Sequence, residues 1–425
     1  MKEVGLIIDL DQIQFSDKDF VNKAVSGFYN PLLKLLKSNQ EISVSLKISL
    51  GTLELLDRFG HQEVISTLKD LYLNYRVEVV DTTPYGVGLD IIPKELVEAN
   101  IILNEYGLGY YLGFRQGFEG EPSIMLRDIT GFISPSGNLD TYCLESLSGL
   151  GYKWAGIRDV ECTNYCSALG SGGSDLQLVS YLDYSSRYLA DSKSEEVYTG
   201  VSESGGDTNE IKEMVQNFLI SDSSQILVLF GNFYGSVLNS YNRDYWFGDL
   251  INNLIQLIEI QKEGKIKIKT VEDINKTLRK VAGKDFVASV KETNISKDVV
   301  GVGSMNINVK HLSSILSLIS SRFNGSTFND SLSPLNMWSY DISSKNINNN
   351  FHLYTNLYII INKIISFSII INELNPIYMT QSLGYITEVL NSELENMSNI
   401  SELIKDEDIG NSVKAEVSKF LSSVN

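Results

Sequence analysis

Apolar positions along this chain recur at strand and helix spacings in alternation, which predicts strands followed by helices. Residues 4–10, VGLIIDL, form a continuous apolar run of the kind a strand buried on both faces requires. The run carries Asp9 and leads to Asp11, and the two-residue period of a strand puts both carboxylates on one face. Together they suit a metal or a shared proton, or they cap the next loop through backbone amides. A helix is predicted over 29–36, YNPLLKLL, with Pro31 in its first turn, where a missing N–H is tolerated. An alternating strand at 42–48, helices near 53–59 and 64–73, and a strand at 77–80 follow. Strand, helix, strand, helix in short order predicts a parallel sheet.

The unit recurs over 131–156, GFISPSGNLDTYCLESLSGLGYKWAG. An apolar entry gives way to the turn Ser134-Pro135-Ser136-Gly137. A helix with Leu144, Leu147 and Leu150 on one face follows, then Gly151 and a strand led by Trp154. Ligands in α/β folds sit at the carboxyl ends of strands, so this turn and the Gly- and Pro-rich loop 81–93 are where chemistry is expected. Past a helix predicted over 94–105, Tyr110 and Tyr111 are interleaved with glycines, an arrangement that offers ring faces to a sugar or packs the core. Residues 167–175 and 192–207 read as surface loops rich in Ser, Gly and acid. Another apolar strand is predicted at 226–230. Trp246 heads a helix at 248–260, and residues 265–269, KIKIK, alternate like an edge strand guarded by lysines. From about residue 310 the pattern is helical. Residues 358–371 are strongly apolar, yet Asn362, Lys363, Ser366 and Ser368 interrupt them, so the segment is expected to be a buried helix, not a membrane span. The amphipathic tail 392–425 packs on that bundle or on another subunit.

At 425 residues and 43% hydrophobic content the chain supports one large α/β domain with an appended one. A net charge of −18 disfavours nucleic acid and anionic membrane as partners, and fits a neutral or cationic ligand or plain solubility. Cys143, Cys162 and Cys166, with no signal peptide after Met1, point to a reducing cytoplasm. Cys162 and Cys166 are one residue too widely spaced for a zinc knuckle and have no nearby histidine; His61, His311 and His352 lie far apart. No metal and no cofactor is expected.

The runs FYNPLLKLLKSNQEISVSLKISLGTLELLDRFG, VEVVDTTPYGVGLDIIP and GFISPSGNLDTYCLESLSGLGYKW together resemble the catalytic domain of glycoside hydrolase family 57, over roughly residues 1–255. The resemblance implies an α/β fold, an incomplete seven-stranded (β/α) barrel over 1–305 with a C-terminal α-helical domain over 306–425. It implies descent from α-amylases, 4-α-glucanotransferases and branching enzymes. The family's functional motifs, by contrast, are eroded. Its first motif, His-Gln-Pro, matches Asp11, Gln12 and Ile13, where only Gln12 agrees. Thr83, Pro84 and Tyr85 persist in the second, but Gly86-Val87-Gly88 fills the place of the histidine. The third, Pro-Glu, supplies the nucleophile and here reads Pro135-Ser136. In the fourth, Asp-x-Glu-x-x-Gly, Phe230 takes the place of the general acid, Asn232 that of the glutamate, and only Gly235 agrees.

A retaining mechanism needs two carboxyl groups about 5 Å apart, and serine and phenylalanine supply neither. Polysaccharide deacetylases have a related barrel, but they need an Asp-His-His site that this chain lacks. The sequence therefore predicts a non-catalytic protein that binds α-glucan or maltooligosaccharide or modulates a partner enzyme. Stacking is expected from Tyr85, Tyr110, Tyr111, Trp154, Tyr234 and Trp246, with Gln12 beside them. Two alternatives stay open. One is an active hydrolase or glucanotransferase using displaced carboxylates, with Asp9, Asp11 and Glu161 as first candidates among strand-end acids that include Asp81, Asp90, Asp159 and Asp183. The other is an assembly protein, a homo-oligomer that reuses the barrel. A carboxylate pair flanking Ser136 would restore a mechanism.

Overall fold

The computed structural model describes residues 2–11, 17–74, 77–92, 94–112, 129–137, 139–158, 176–183, 215, 218–220, 226–231, 243–278, 299–302, 305–321, 350–373, 380–404 and 406–424. Its centre is a parallel sheet. The strands are β1 (Lys2–Asp9), β2 (Val44–Lys47), β3 (Val77–Val80), β4 (Gly131–Ile133), β5 (Trp154–Arg158), β6 (Gln177–Asp183) and β7 (Ile226–Gly231). They run side by side in the order β3-β2-β1-β7-β6-β5-β4. The two ends of this path meet at one bridge between Asp81 and Phe132. There the Asp81 N–H donates to the Gly131 carbonyl and the Ile133 N–H to the Asp81 carbonyl, both at 2.9 Å. Seven parallel strands thus form a ring whose last seam is a single bridge instead of a ladder. An eighth strand, β8 (Ile266–Lys269), pairs with Lys2–Gly5 of β1, while β2 takes Ile7–Asp9 on the same strand.

Strand alternation sorts the side chains. Val4, Leu6, Ile8 and Leu10 of the first strand, with Val44, Leu46, Val77 and Val79, belong to the large core beneath the helices. Ile7, Val80, Ile133, Trp154, Val179 and Tyr181 face the other way and fill the ring, closed off by Val271. Close packing of such interiors by large side chains is what a small barrel requires. Trp154 lies across Gly131 so tightly that a Cβ there would stand 2.1 Å from its ring, which explains a glycine at the head of β4.

Around the ring lie α1 (Lys18–Ala24), continued through a π-helical turn at Val25–Tyr29 into α2 (Asn30–Ser38), then α3 (Leu50–Arg58), α4 (Gln62–Leu73), α5 (Val97–Leu112), α6 (Thr141–Leu150), α7 (Arg243–Lys262) and α8 (Val271–Leu278). Pro31 sits in the first turn of α2, as its fixed φ favours. Gly107 to Leu112, read from sequence as a segment beyond the helix, is the last part of α5. Burial of Ile101, Leu103, Leu108 and Leu112 keeps that segment helical despite its glycines.

A hairpin, β9 (Val299–Val302) with β10 (Met305–Asn308), precedes α9 (Val309–Ser321), α10 (Asn350–Glu373), α11 (Thr380–Leu403) and α12 (Glu407–Val424). The hairpin packs on α10 and α12. Helix α10 is the predicted buried apolar helix, with Leu357, Ile361, Ile364 and Ile365 in the core. No described helix is long and apolar enough to cross a membrane. Asn362 and Lys363 tie α10 to the barrel's helices and to α11: Asn100 Nδ2 donates to Asn362 Oδ1 (3.0 Å), and Lys363 Nζ reaches Glu54 of α3 (3.0 Å) and Glu393 of α11 (3.2 Å).

Candidate functional site

The carboxyl ends of β1 and β2 bring Asp9 and Lys47 into register, so an ammonium meets the two acids that strand alternation puts on one face. Lys47 Nζ donates to Asp9 Oδ1 at 3.1 Å and to Asp11 Oδ2 at 2.7 Å. All three side chains are buried. Burial alone would lower the Lys47 value, but Asp11 and then Asp9 outweigh it and raise it, so the amine stays charged. Burial pushes Asp9 up to about 6, with Lys47 offsetting only part of the rise. Asp11 has a second task. Its Oδ1 accepts the Ser49 N–H and the Thr52 hydroxyl, both at 2.8 Å, at the start of α3. A carboxylate at a helix N-terminus satisfies exposed amides and complements the dipole. Asp9 and Asp11 are therefore committed to an ion-paired knot at the barrel mouth, in which Asp11 caps the next helix as the second sequence reading had it.

Next to this knot around the ring, the turn after β4 is latched to the loop after β3. The Leu89 N–H donates to Ser134 Oγ (2.9 Å), Ser134 and Ser136 hydroxyls are 2.9 Å apart, and the Ser136 hydroxyl donates to Asp90 Oδ1 at 2.5 Å. Gly88 is part of the latch, because a Cβ there would stand 2.7 Å from both Asp90 Oδ1 and Ser136 Cβ. Ser136, the position of the expected nucleophile, is half-buried and holds two loops together. One carboxyl, Asp90, touches it.

The aromatic positions are dispersed. Trp154 is wholly buried inside the ring, its Nε1 donating to Glu78 Oε1 at 3.0 Å. Glu78 is pushed up to about 7 by burial, despite hydrogen bonds from Ser45, the Glu272 amide and Trp154. Tyr85 is 2% exposed and covered by α10: Phe367 packs edge-on to its ring, and Lys363 Nζ lies 5.2 Å from its centroid. Tyr110 is exposed and Tyr111 half-buried, in the last turn of α5. The Tyr111 hydroxyl donates to Asp57 Oδ2 (3.3 Å) in the last turn of α3. Asp57 lies roughly 12 Å along that helix from the Ser49 cap, so these two tyrosines are far from the mouth. Gln12, Asp159, Glu161, Asn232, Tyr234 and Gly235 lie outside the described residues. Phe230 pairs in register with Ile7 and Asp183 at the end of β7, and Trp246 is in the first turn of α7. Among the described residues no cluster of His, Cys, Asp and Glu is placed to hold a metal.

The sequence signal for Lys47 is the alternation of Ser43, Ser45 and Lys47 in ISVSLKI, a polar face on an otherwise apolar strand, which a search for acids and aromatics alone passes over. The contact of Asp90 with Ser136 spans 46 positions and had no local signal.

No family model and no curated protein matches this chain by sequence. Solved structures do match it in fold. A GH57-type branching enzyme from Pyrococcus horikoshii aligns with 99% of this chain and 95% of its own at TM-score 0.58 and 10% identity. An α-amylase from Thermotoga maritima aligns over 99% and 97% at TM-score 0.57 and 8% identity. A 4-α-glucanotransferase from Thermococcus litoralis aligns with 95% of this chain at TM-score 0.50 and 14% identity, and the chain spans 59% of that enzyme's length. With its parallel (β/α) ring and appended helices, this chain has the fold of the family 57 glycoside hydrolases.

Proposed function

We propose that the chain is a degenerate family-57-like protein that binds α-glucan or maltooligosaccharide, or modulates an enzyme acting on one, without cleaving the glycosidic bond. The observation that carries this reading is the state of Ser136. Retaining hydrolysis needs a nucleophilic carboxylate there and a protonated carboxyl facing it. Ser136 instead carries a hydroxyl engaged with Ser134 and Asp90 in the loop-to-loop latch, and a serine hydroxyl is a weak nucleophile at its ordinary pKa. Asp9 and Asp11 offer no substitute pair, because Lys47, the Ser49 N–H and the Thr52 hydroxyl engage them. Gln12, Tyr234 and Trp246 are the proposed sugar contacts, on their places in the sequence after β1, after β7 and at the head of α7. The proposed setting is a reducing cytoplasm, which the free, buried Cys143 suits.

Asp90 favours a second reading, residual hydrolase or transferase activity. A carboxylate 2.5 Å from a hydroxyl is placed to draw off its proton. Maltooligosaccharide titration followed by heat, with product analysis on the same samples, separates the two. Binding without product, weakened by Trp246→Ala, supports the first reading. Product formation abolished by Asp90→Asn supports the second.

A further inference from the structure

The seam that closes the ring carries a second group of acids. Asp81 supplies the bridging backbone to β4, and its side chain turns outward beneath α5. Asp81 Oδ1 accepts the Thr82 N–H (2.7 Å) and Asn104 Nδ2 (2.5 Å), and Oδ2 accepts the Tyr152 hydroxyl. Glu105 Oε1 lies 2.6 Å from the same hydroxyl oxygen. All four side chains are buried. A phenol has one hydrogen, so it serves one carboxylate only. Asp81, with three donors aimed at it, is satisfied as an anion. Glu105 reaches the phenol oxygen only by donating a hydrogen of its own. Among the described residues no Lys, Arg or His is paired with either acid, and Lys153, next to the tyrosine, is exposed.

We propose that Asp81, Tyr152 and Glu105 form a proton-holding clasp on the β3–β4 seam, and that loss of its proton to solvent loosens the closure of the barrel. With Glu105 ionised, two buried carboxylates face one hydroxyl across a medium that screens poorly. Relief comes from letting water reach them, which means parting Asp81 from Gly131 and Ile133. Burial, then Asp81, raises Glu105 well above its ordinary value, and burial raises Asp81 to about 7. The sign follows: folded values above unfolded ones give stability that is complete at acid pH and is lost as pH climbs to the folded value.

Hydrogen exchange of the intact chain, read by mass spectrometry as protection factors, tests this at residues 77–83 and 130–135, with residues 64–71 of α4 as control. Protection at the seam is expected to fall about tenfold per pH unit between roughly pH 5 and 7 while the control stays level, because the opening releases one proton. The double variant Asp81→Asn/Glu105→Gln, which leaves no acid in the clasp to ionise, is expected to flatten the slope. A level profile in the unmodified protein overturns the proposal without reference to any variant. An unchanged slope in a folded Asp81→Asn/Glu105→Gln protein also overturns it.

Discussion

Replacing Lys47 with methionine keeps most of the buried stem and removes the ammonium, leaving Asp9 and Asp11 buried without a cation. Breaking a buried ion pair from one side costs about 3 to 5 kcal/mol, because an uncompensated charge stays behind. The expected result for Lys47→Met is a loss of that size in the free energy of unfolding at neutral pH. Asp9→Asn makes the opposite case. With two acids against one base the knot carries one surplus negative charge, and burial has raised Asp9 from 3.8 to about 6. Keeping Asp9 ionised at neutral pH then costs about 3 kcal/mol, at roughly 1.4 kcal/mol for each tenfold change. The asparagine avoids that cost, which is already net of the attraction to Lys47, so Asp9→Asn is expected to leave stability unchanged or to raise it by up to about 3 kcal/mol. Because the folded value is the higher one, the Asp9 contribution declines as pH rises from about 4 to about 6, and Asp9→Asn removes that decline. Urea unfolding midpoints across this range supply the numbers. An Asp9→Asn protein as damaged as Lys47→Met would show that the surplus-charge reasoning is wrong.

Gly131→Ala is expected to destabilise by at least about 1 to 3 kcal/mol by driving a methyl group into Trp154, measured by the same unfolding curves. Tyr85→Phe is expected to leave both stability and maltooligosaccharide affinity within error, since its hydroxyl reaches Glu54 only at 3.4 Å and its ring is covered by α10; a clear loss of affinity would return Tyr85 to the sugar site. Lys363→Met leaves Glu54 and Glu393 without a cation where α10 meets α3 and α11 and is expected to cost about 1 to 2 kcal/mol, seen as faster limited proteolysis of the helices beyond α9.

The features legible in the sequence were those set by local period. The apolar run at β1, the βαβ pattern over 131–156 and the buried character of α10 all follow from hydrophobic spacing, and the structure has them in those places. Misread features depended on which strands become neighbours. Trp154 has the composition of a sugar platform, but a tryptophan on the inward face of a small ring fills the interior. The pairing of Lys47 with Asp9 is a matter of parallel register between strands 38 residues apart. The glycines after residue 106 suggested an end to α5, and burial of Leu108 and Leu112 overrode that local preference. β10, at Met305–Asn308, belongs to a short hairpin that packs on α10 and α12, so the helical region begins with a strand pair that helical periodicity did not foresee.

The account stands most directly on what happens to a glucan in contact with the protein. Maltoheptaose followed by proton NMR with the protein over a day reports both events in one tube. The account predicts broadened sugar signals and no new anomeric resonances. The appearance of shorter or transferred oligosaccharides, at a rate that depends on protein concentration, would contradict it.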